Sequence, residues 1–152
     1  MSPAEKKASK KIKKYLFKIT VVGPDDKLLM DVLSIFDDPV VSVDGIRIGS
    51  TELDVDTSEV HAVFMSPRHS ALDVLLTLTY RGASGAIIVL REPDLEMERL
   101  YRDEVRMNLG TEIPVRTVTT GSSIDGFKRN EIHHLFEEVV EEILKGKTRK
   151  GK

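Results

Sequence analysis

Few groupings in this chain combine residue types and spacing that could do chemistry, and the first lies at Gly23. Residues 17–33, FKITVVGPDDKLLMDVL, read as a buried strand, a glycine turn and the start of a helix. Such a junction can hold phosphate, because unpaired backbone N–H groups and the helix dipole both favour negative charge. The complete loop, G-x-x-x-x-G-K-[ST], adds a second glycine, a lysine that neutralises phosphate and a hydroxyl that ligates Mg²⁺. Here Gly23 is followed by Pro24, Asp25, Asp26, Lys27 and Leu28. The second glycine and the hydroxyl are missing, Lys27 comes two positions early, and two carboxylates stand where a triphosphate would lie. Gly23 and Lys27 are therefore the candidate cofactor-binding residues, in vestigial form.

The remaining reactive side chains form no site. His133 and His134 are adjacent on a helix and point about 100° apart, so they cannot chelate as an i, i+4 pair does. His61 falls in a strand and His69 in a turn-rich loop. Thr119-Thr120 and Ser122-Ser123 lack a nucleophile context such as G-x-S-x-G. The chain has no cysteine, which removes disulfides, thiolate metal sites and a thiol nucleophile. No catalytic residue and no metal ligand is assigned. Asp25 or Asp26 reads as a helix cap, and Glu137, Glu138, Glu141 and Glu142 as the solvated face of the last helix.

The elements that carry these residues follow from hydrophobic periodicity. Tyr15–Val22 is a β-branched apolar run and reads as a strand. Leu29, Val32, Leu33 and Phe36 fall at helical spacing, ended by Asp37-Asp38-Pro39. Strands are predicted at 40–48, 51–56 and 60–65, with turns at Asp44-Gly45, Gly49-Ser50 and Asp56–Glu59. Their close spacing leaves no room for a crossover helix, so this part is antiparallel. Leu72, Leu75, Leu76 and Thr79 give one helix face. Residues 86–90, AIIVL, form the most apolar run and the predicted central strand. A polar helix at 94–109 carries Met97, Tyr101, Val105 and Leu109, and a strand follows at 113–119. The last helix shows Ile132, Leu135, Phe136, Val139, Val140, Ile143 and Leu144 as one stripe, with Gly146 as its stop.

At 152 residues the chain is one domain long. A basic arm (1–14) precedes a single domain (15–145) and a basic tail (146–152). Net charge of −2 conceals an asymmetry. Residues 1–18 hold seven Lys against Glu5 and residues 145–152 hold five basic residues, which leaves −13 for the body. An acidic body repels phosphate backbones, so no specific nucleic-acid partner is expected. The tails read as solubilising ends. No apolar run reaches the roughly 18 residues of a membrane span, no signal peptide is apparent, and cytoplasmic location is the expectation. High charge without Trp or Cys fits a thermophilic source.

The segment Tyr80-Arg81-Gly82-Ala83-Ser84-Gly85-Ala86-Ile87-Ile88-Val89-Leu90 resembles YYRGADGAILVY of Rab-type, Ras-like small GTPases. The order of elements agrees over 16–145, from the glycine turn and antiparallel hairpin to Leu135-Phe136 in the final helix. The resemblance implies a P-loop NTPase fold: an α/β three-layer sandwich, with a mostly parallel five- or six-stranded sheet and one antiparallel edge hairpin. It also shows what is missing. Where the family places D-x-x-G, which holds Mg²⁺ and senses the γ-phosphate, this chain has Met65-Ser66-Pro67-Arg68-His69. The glutamine that orients water has no counterpart. Guanine recognition by N-K-x-D meets Thr119-Thr120-Gly121-Ser122-Ser123, and too few residues remain before the final helix for the family's helix and sixth strand. Either that pair is deleted or Thr119–Gly121 belongs to the last strand.

Phosphoryl transfer depends on positioned phosphates, Mg²⁺ and an oriented water, and the ligands for all three are gone. The expectation is a non-catalytic pseudo-GTPase acting as a protein-interaction or regulatory module, with no cofactor; GTP or GDP with Mg²⁺ is disfavoured. Partner contact would use the hairpin 40–65 and the loop 66–70, and the exposed hairpin edge could pair two subunits. The runner-up is a divergent nucleotide- or phosphate-binding NTPase using Gly23 and Lys27. A third reading is a regulatory domain similar to response-regulator receivers, whose acidic pair binds Mg²⁺, using Asp25 and Asp26.

Overall fold

A computed structural model describes residues 13–68 and 73–150. Among the described residues six strands and four helices follow one another: β1 (Lys13–Val22), α1 (Asp26–Leu33), β2 (Val41–Val43), β3 (Ile46–Val55), β4 (Ser58–Pro67), α2 (Asp73–Tyr80), β5 (Gly85–Leu90), α3 (Leu95–Leu109), β6 (Val115–Thr119) and α4 (Gly126–Lys150). They build one mixed sheet in the order β2-β3-β4-β1-β5-β6. β4, β1, β5 and β6 are parallel, whereas β2–β3 and β3–β4 are antiparallel. The antiparallel part thus contains two hairpins where one was expected.

Period-2 alternation sorts β1 onto two cores. Phe17, Ile19 and Val21 join α1 and α4 on one face, where Phe36, Phe64 and Phe136 stack with ring centroids 4.6–4.9 Å apart. Val22, with Ala86, Ile88 and Leu90 of β5, meets Tyr80 of α2 and Val105 of α3 on the other. Helices therefore cover both faces. α2 is pinned to β1 at its end: Lys18 Nζ donates to Leu78 O (2.7 Å) and Arg81 O (2.6 Å), and Thr20 Oγ1 to Thr79 O (3.0 Å). These carbonyls are the acceptors a helix C-terminus leaves unpaired. Burial, with repulsion from Arg81 second, pulls the Lys18 amine below its ordinary value. Among the described residues no helix is long and apolar enough to cross a membrane.

Several boundaries differ from expectation for physical reasons. Gly49-Ser50 is not a turn: β3 runs through it, because Leu33 of α1 packs over Gly49, with its Cγ 3.5 Å from where a Cβ would sit. The break falls at Asp44-Gly45, both at positive φ (53° and 87°), the two-residue turn whose twist matches a hairpin. α1 ends at Leu33, before the expected stop, where Ser34 turns both its N–H and its hydroxyl onto Met30 O; Phe36 stays buried beyond it. AIIVL is interior and fully buried, but the middle of the sheet is β4–β1. β1 takes in Lys13 and Lys14, read as part of the arm, and α4 continues through Gly146 to Lys150. Residues 1–12, His69, the Leu72, Leu75 and Leu76 face, and residues 151–152 lie outside what is described.

Candidate functional site

In an open α/β sheet the binding crevice lies beyond the carboxyl ends of parallel strands, where neighbouring strands send their connections to opposite faces. β1 leads to α1 on one face, while its neighbours β4 and β5 lead to α2 and α3 on the other. Crevices are thus expected on both sides of the Gly23 turn. Each is spanned by an arginine.

Arg91, just past β5, donates Nη2 to Asp25 Oδ2 (2.5 Å) and Nη1 to Ser122 O (3.2 Å), the latter in the loop after β6. Asp25 is also the N-cap of α1, its Oδ1 accepting from Leu28 N at 3.1 Å. The bond from Arg91, then that from Leu28 N, holds the Asp25 carboxyl below its usual range. On the other side Arg47, second residue of β3, is 1% exposed. Its Nη2 donates to Asp26 Oδ1 (3.2 Å), Ser66 Oγ (3.3 Å) and Pro67 O (3.1 Å). Its Nε is buried with no partner. Burial lowers the guanidinium's pKa, and the bond and charge of Asp26 counter that shift.

The turn between them is short. Only Gly23, Pro24 and Asp25 connect β1 to α1, whereas the complete phosphate loop wraps with five residues before its second glycine. Gly23 has a packing task. A Cβ there would lie 2.2 Å from Val89 O of β5 and 3.2 Å from Val89 C. Lys27 Nζ bonds Asp31 Oδ2 at 2.9 Å one turn further along α1, at an 81% exposed side chain. The two candidate residues are near neighbours in sequence, yet Lys27 is paired along the helix surface. GTP or GDP with Mg²⁺ does not fit these residues. Both carboxylates face the helix start, the cradle is three residues long, and the position after Met65 holds Ser66, bonded to Arg47.

The other reactive groups stay apart. His61 meets Glu52 (3.5 Å), while His133 and His134 both approach Glu137 (3.8 and 3.3 Å). Among the described residues no group of three or more His, Asp or Glu is placed to hold a metal ion. Thr120 is buried and turns its hydroxyl to Gly121 O. Tyr80 donates to Glu104 Oε1 (2.8 Å), and burial, then that carboxylate, raises its pKa far above the ordinary phenol value.

Sequence reasoning missed Arg47 and Arg91. Arg91 follows the apolar run of β5, a position from which a long cation can reach both neighbouring loops. Arg47 alternates with Ile46 and Ile48, a pattern that puts a charge on the solvent face of a one-sided hairpin; the face it occupies is the covered one. No protein-family model matches the chain, and no curated protein matches it.

Proposed function

We propose that this chain is a degenerate small-GTPase-like domain that has become a non-catalytic protein-interaction or regulatory module. The observation that carries the reading is the closure of both crevices by the protein's own cations: Arg91 on Asp25, and buried Arg47 on Asp26 and Ser66. The order of strands and helices supports the scaffold half of the reading, as does the split of α1 and α4 from α2 and α3. Six residues, 120–125, separate β6 from α4, and β6 is a sheet edge. That supports deletion of the family's helix–strand pair together with its guanine-reading loop. Partner contact falls to the β2–β4 hairpins, where edge strand β2 exposes Val41 (53%) and Val43 (49%).

Isothermal calorimetry with GTP, GDP and ATP, each with Mg²⁺, tests the proposal. No heat of binding is expected up to millimolar ligand, and micromolar affinity for any of the three would overturn it. In that event Lys27→Ala decides for the NTPase alternative, which needs Lys27 on phosphate and so requires affinity to fall. The receiver-like alternative is weakened by the same geometry, since Asp25 and Asp26 each already hold a guanidinium.

A further inference from the structure

The two edges of the sheet differ. On β6, Arg116 pairs with Glu142 and Thr117 Oγ1 donates to Glu98 Oε2 (2.9 Å), so charged groups guard that side. β2 has no such guard: Val41, Ser42 and Val43 are all exposed and carry no charge. The direction of its backbone groups follows from the register. In an antiparallel ladder, pairs that exchange both bonds alternate with pairs whose N–H and C=O point away. Gly45 O accepts from Arg68 N, so Gly45, and with it Arg47, turns toward β4. Ile46 and Ile48 then bond β2 through Val43 and Val41. Ser42, between them, directs its N–H and C=O out of the sheet.

We propose that this edge takes an extended, basic segment of another protein as an added strand, antiparallel to β2. The proposal rests on the assignment of partner contact to these hairpins and gives that partner a chemistry. Three features select it. Ser42 offers a donor and an acceptor to a strand. Val41 and Val43 share one face, and Val41 lies in a row with half-buried Ile48 and Met65, where apolar residues at alternate positions of the segment pack. Charge is complementary: exposed Asp37, Asp38 and Asp44 flank β2, and none forms an ion pair among the described residues. Asp38 accepts only the Ser50 hydroxyl (2.7 Å). Arg68 is exposed at the Asp44 end, so the unbalanced charge lies at Asp37-Asp38, opposite the C-terminal end of an antiparallel segment. A second copy fits less well. A two-fold axis at Ser42 would bring Asp44 of each copy toward Asp38 of the other, and a three-residue edge falls short of the ~800 Å² per partner of a stable dimer.

Amide exchange in the full-length ¹⁵N protein, with the acetylated and amidated peptide TVTVTKK as probe, tests this. At about five times Kd the Ser42 amide should exchange about sixfold more slowly, while Val41 and Val43, already bonded to β3, change little. The peptide TVTVTEE at the same concentration should leave Ser42 unaffected. Ser42→Pro removes the outward N–H and no bond to β3, a change edge strands tolerate, and should abolish the heat of TVTVTKK binding. An unchanged Ser42 rate at about 5 mM TVTVTKK overturns the proposal, because even a ~1 mM Kd would give that slowing. So does equal slowing by the two peptides, or binding that survives Ser42→Pro. Protection of Ser42 that rises with protein concentration alone also overturns it and makes a second copy the occupant. Nucleotide binding would overturn the pseudo-GTPase reading and leave these exchange rates as expected, so the two failures are distinct.

Discussion

Replacing Gly23 by alanine separates a packing glycine from a phosphate-binding one. The added Cβ would sit 2.2 Å from Val89 O, whereas carbon and oxygen approach to about 3.3 Å. Roughly 1 Å of separation must therefore be found. The obstacle is the backbone of β5, held on one side by β1 and on the other by β6, so no rotamer change supplies the space. Overpacking typically costs about 1–3 kcal/mol, and a rigid backbone neighbour puts this site at the upper end. Alanine narrows the unfolded ensemble, which returns about 0.4–1 kcal/mol. The net loss is about 2–3 kcal/mol. With an m-value near 2 kcal/mol/M, the urea midpoint drops by about 1–1.5 M; at 2–4 °C per kcal/mol, Tm falls by roughly 4–12 °C. Gly126→Ala is the control, since its Cβ meets nothing within 4 Å and its midpoint should hold or rise. A Gly23→Ala midpoint within about 0.3 M of wild type would refute the packing argument.

Arg47→Met should cost at least ~2 kcal/mol less than Arg47→Ala in urea unfolding. Methionine keeps the buried stem volume and removes the unpartnered Nε, while alanine leaves a cavity; equal losses would contradict this. Asp25→Asn keeps the cap but removes the charge. The wild-type carboxyl is depressed by Arg91, so its contribution is complete above the unfolded value near 3.9 and lost as pH falls through the folded value. The midpoint difference between the two proteins should accordingly shrink between pH 6 and pH 3, and a constant gap counts against the Arg91 bond. Gly146→Ala should stabilise by about 0.5–1 kcal/mol, because α4 continues through that position; a loss of stability would place a helix end there.

The helices were legible where one face repeats at 3.6 residues. Asp94 caps α3 by accepting from Met97 N at 3.1 Å, and the α4 stripe from Ile132 to Leu144 is buried as its spacing predicts, except for Leu135, which is half-buried. Glycine misled twice. Gly49 admits a helix side chain, and Gly146 lies in a helix long enough to absorb its cost, so neither punctuates the chain. The crevices were illegible because their closure joins residues far apart in sequence: Asp25 with Arg91, and Asp26 with Arg47. Only the strand order brings them together. The local sequence shows two carboxylates with Lys27 alone beside them, which is why a metal-binding reading of Asp25-Asp26 arises from sequence and loses ground once the sheet is assembled.

That pairing has a consequence for ligand binding. Two carboxylates and two guanidiniums at one helix start form a nearly neutral cluster, and an incoming phosphate meets the carboxylates first. A like-charge contact near 4 Å costs about 4 kcal/mol at an effective dielectric of 20. Arg91, 42% exposed at its side chain, could swing toward an anion, but Arg47, 1% exposed, cannot. The carboxylates rather than the missing glycine and hydroxyl then set the barrier. Asp25→Asn/Asp26→Asn keeps the cap and leaves both cations facing a helix N-terminus, a setting that attracts phosphate. The double variant should acquire millimolar affinity for inorganic phosphate. At ten times Kd the bound state gains about 1.4 kcal/mol, a Tm rise of roughly 3–6 °C over its own ligand-free value. Wild type should show no rise. Equal responses in the two proteins, or none in the double variant at 50 mM phosphate, would mean that the short turn alone abolishes the site and that the arginines close crevices already unable to bind.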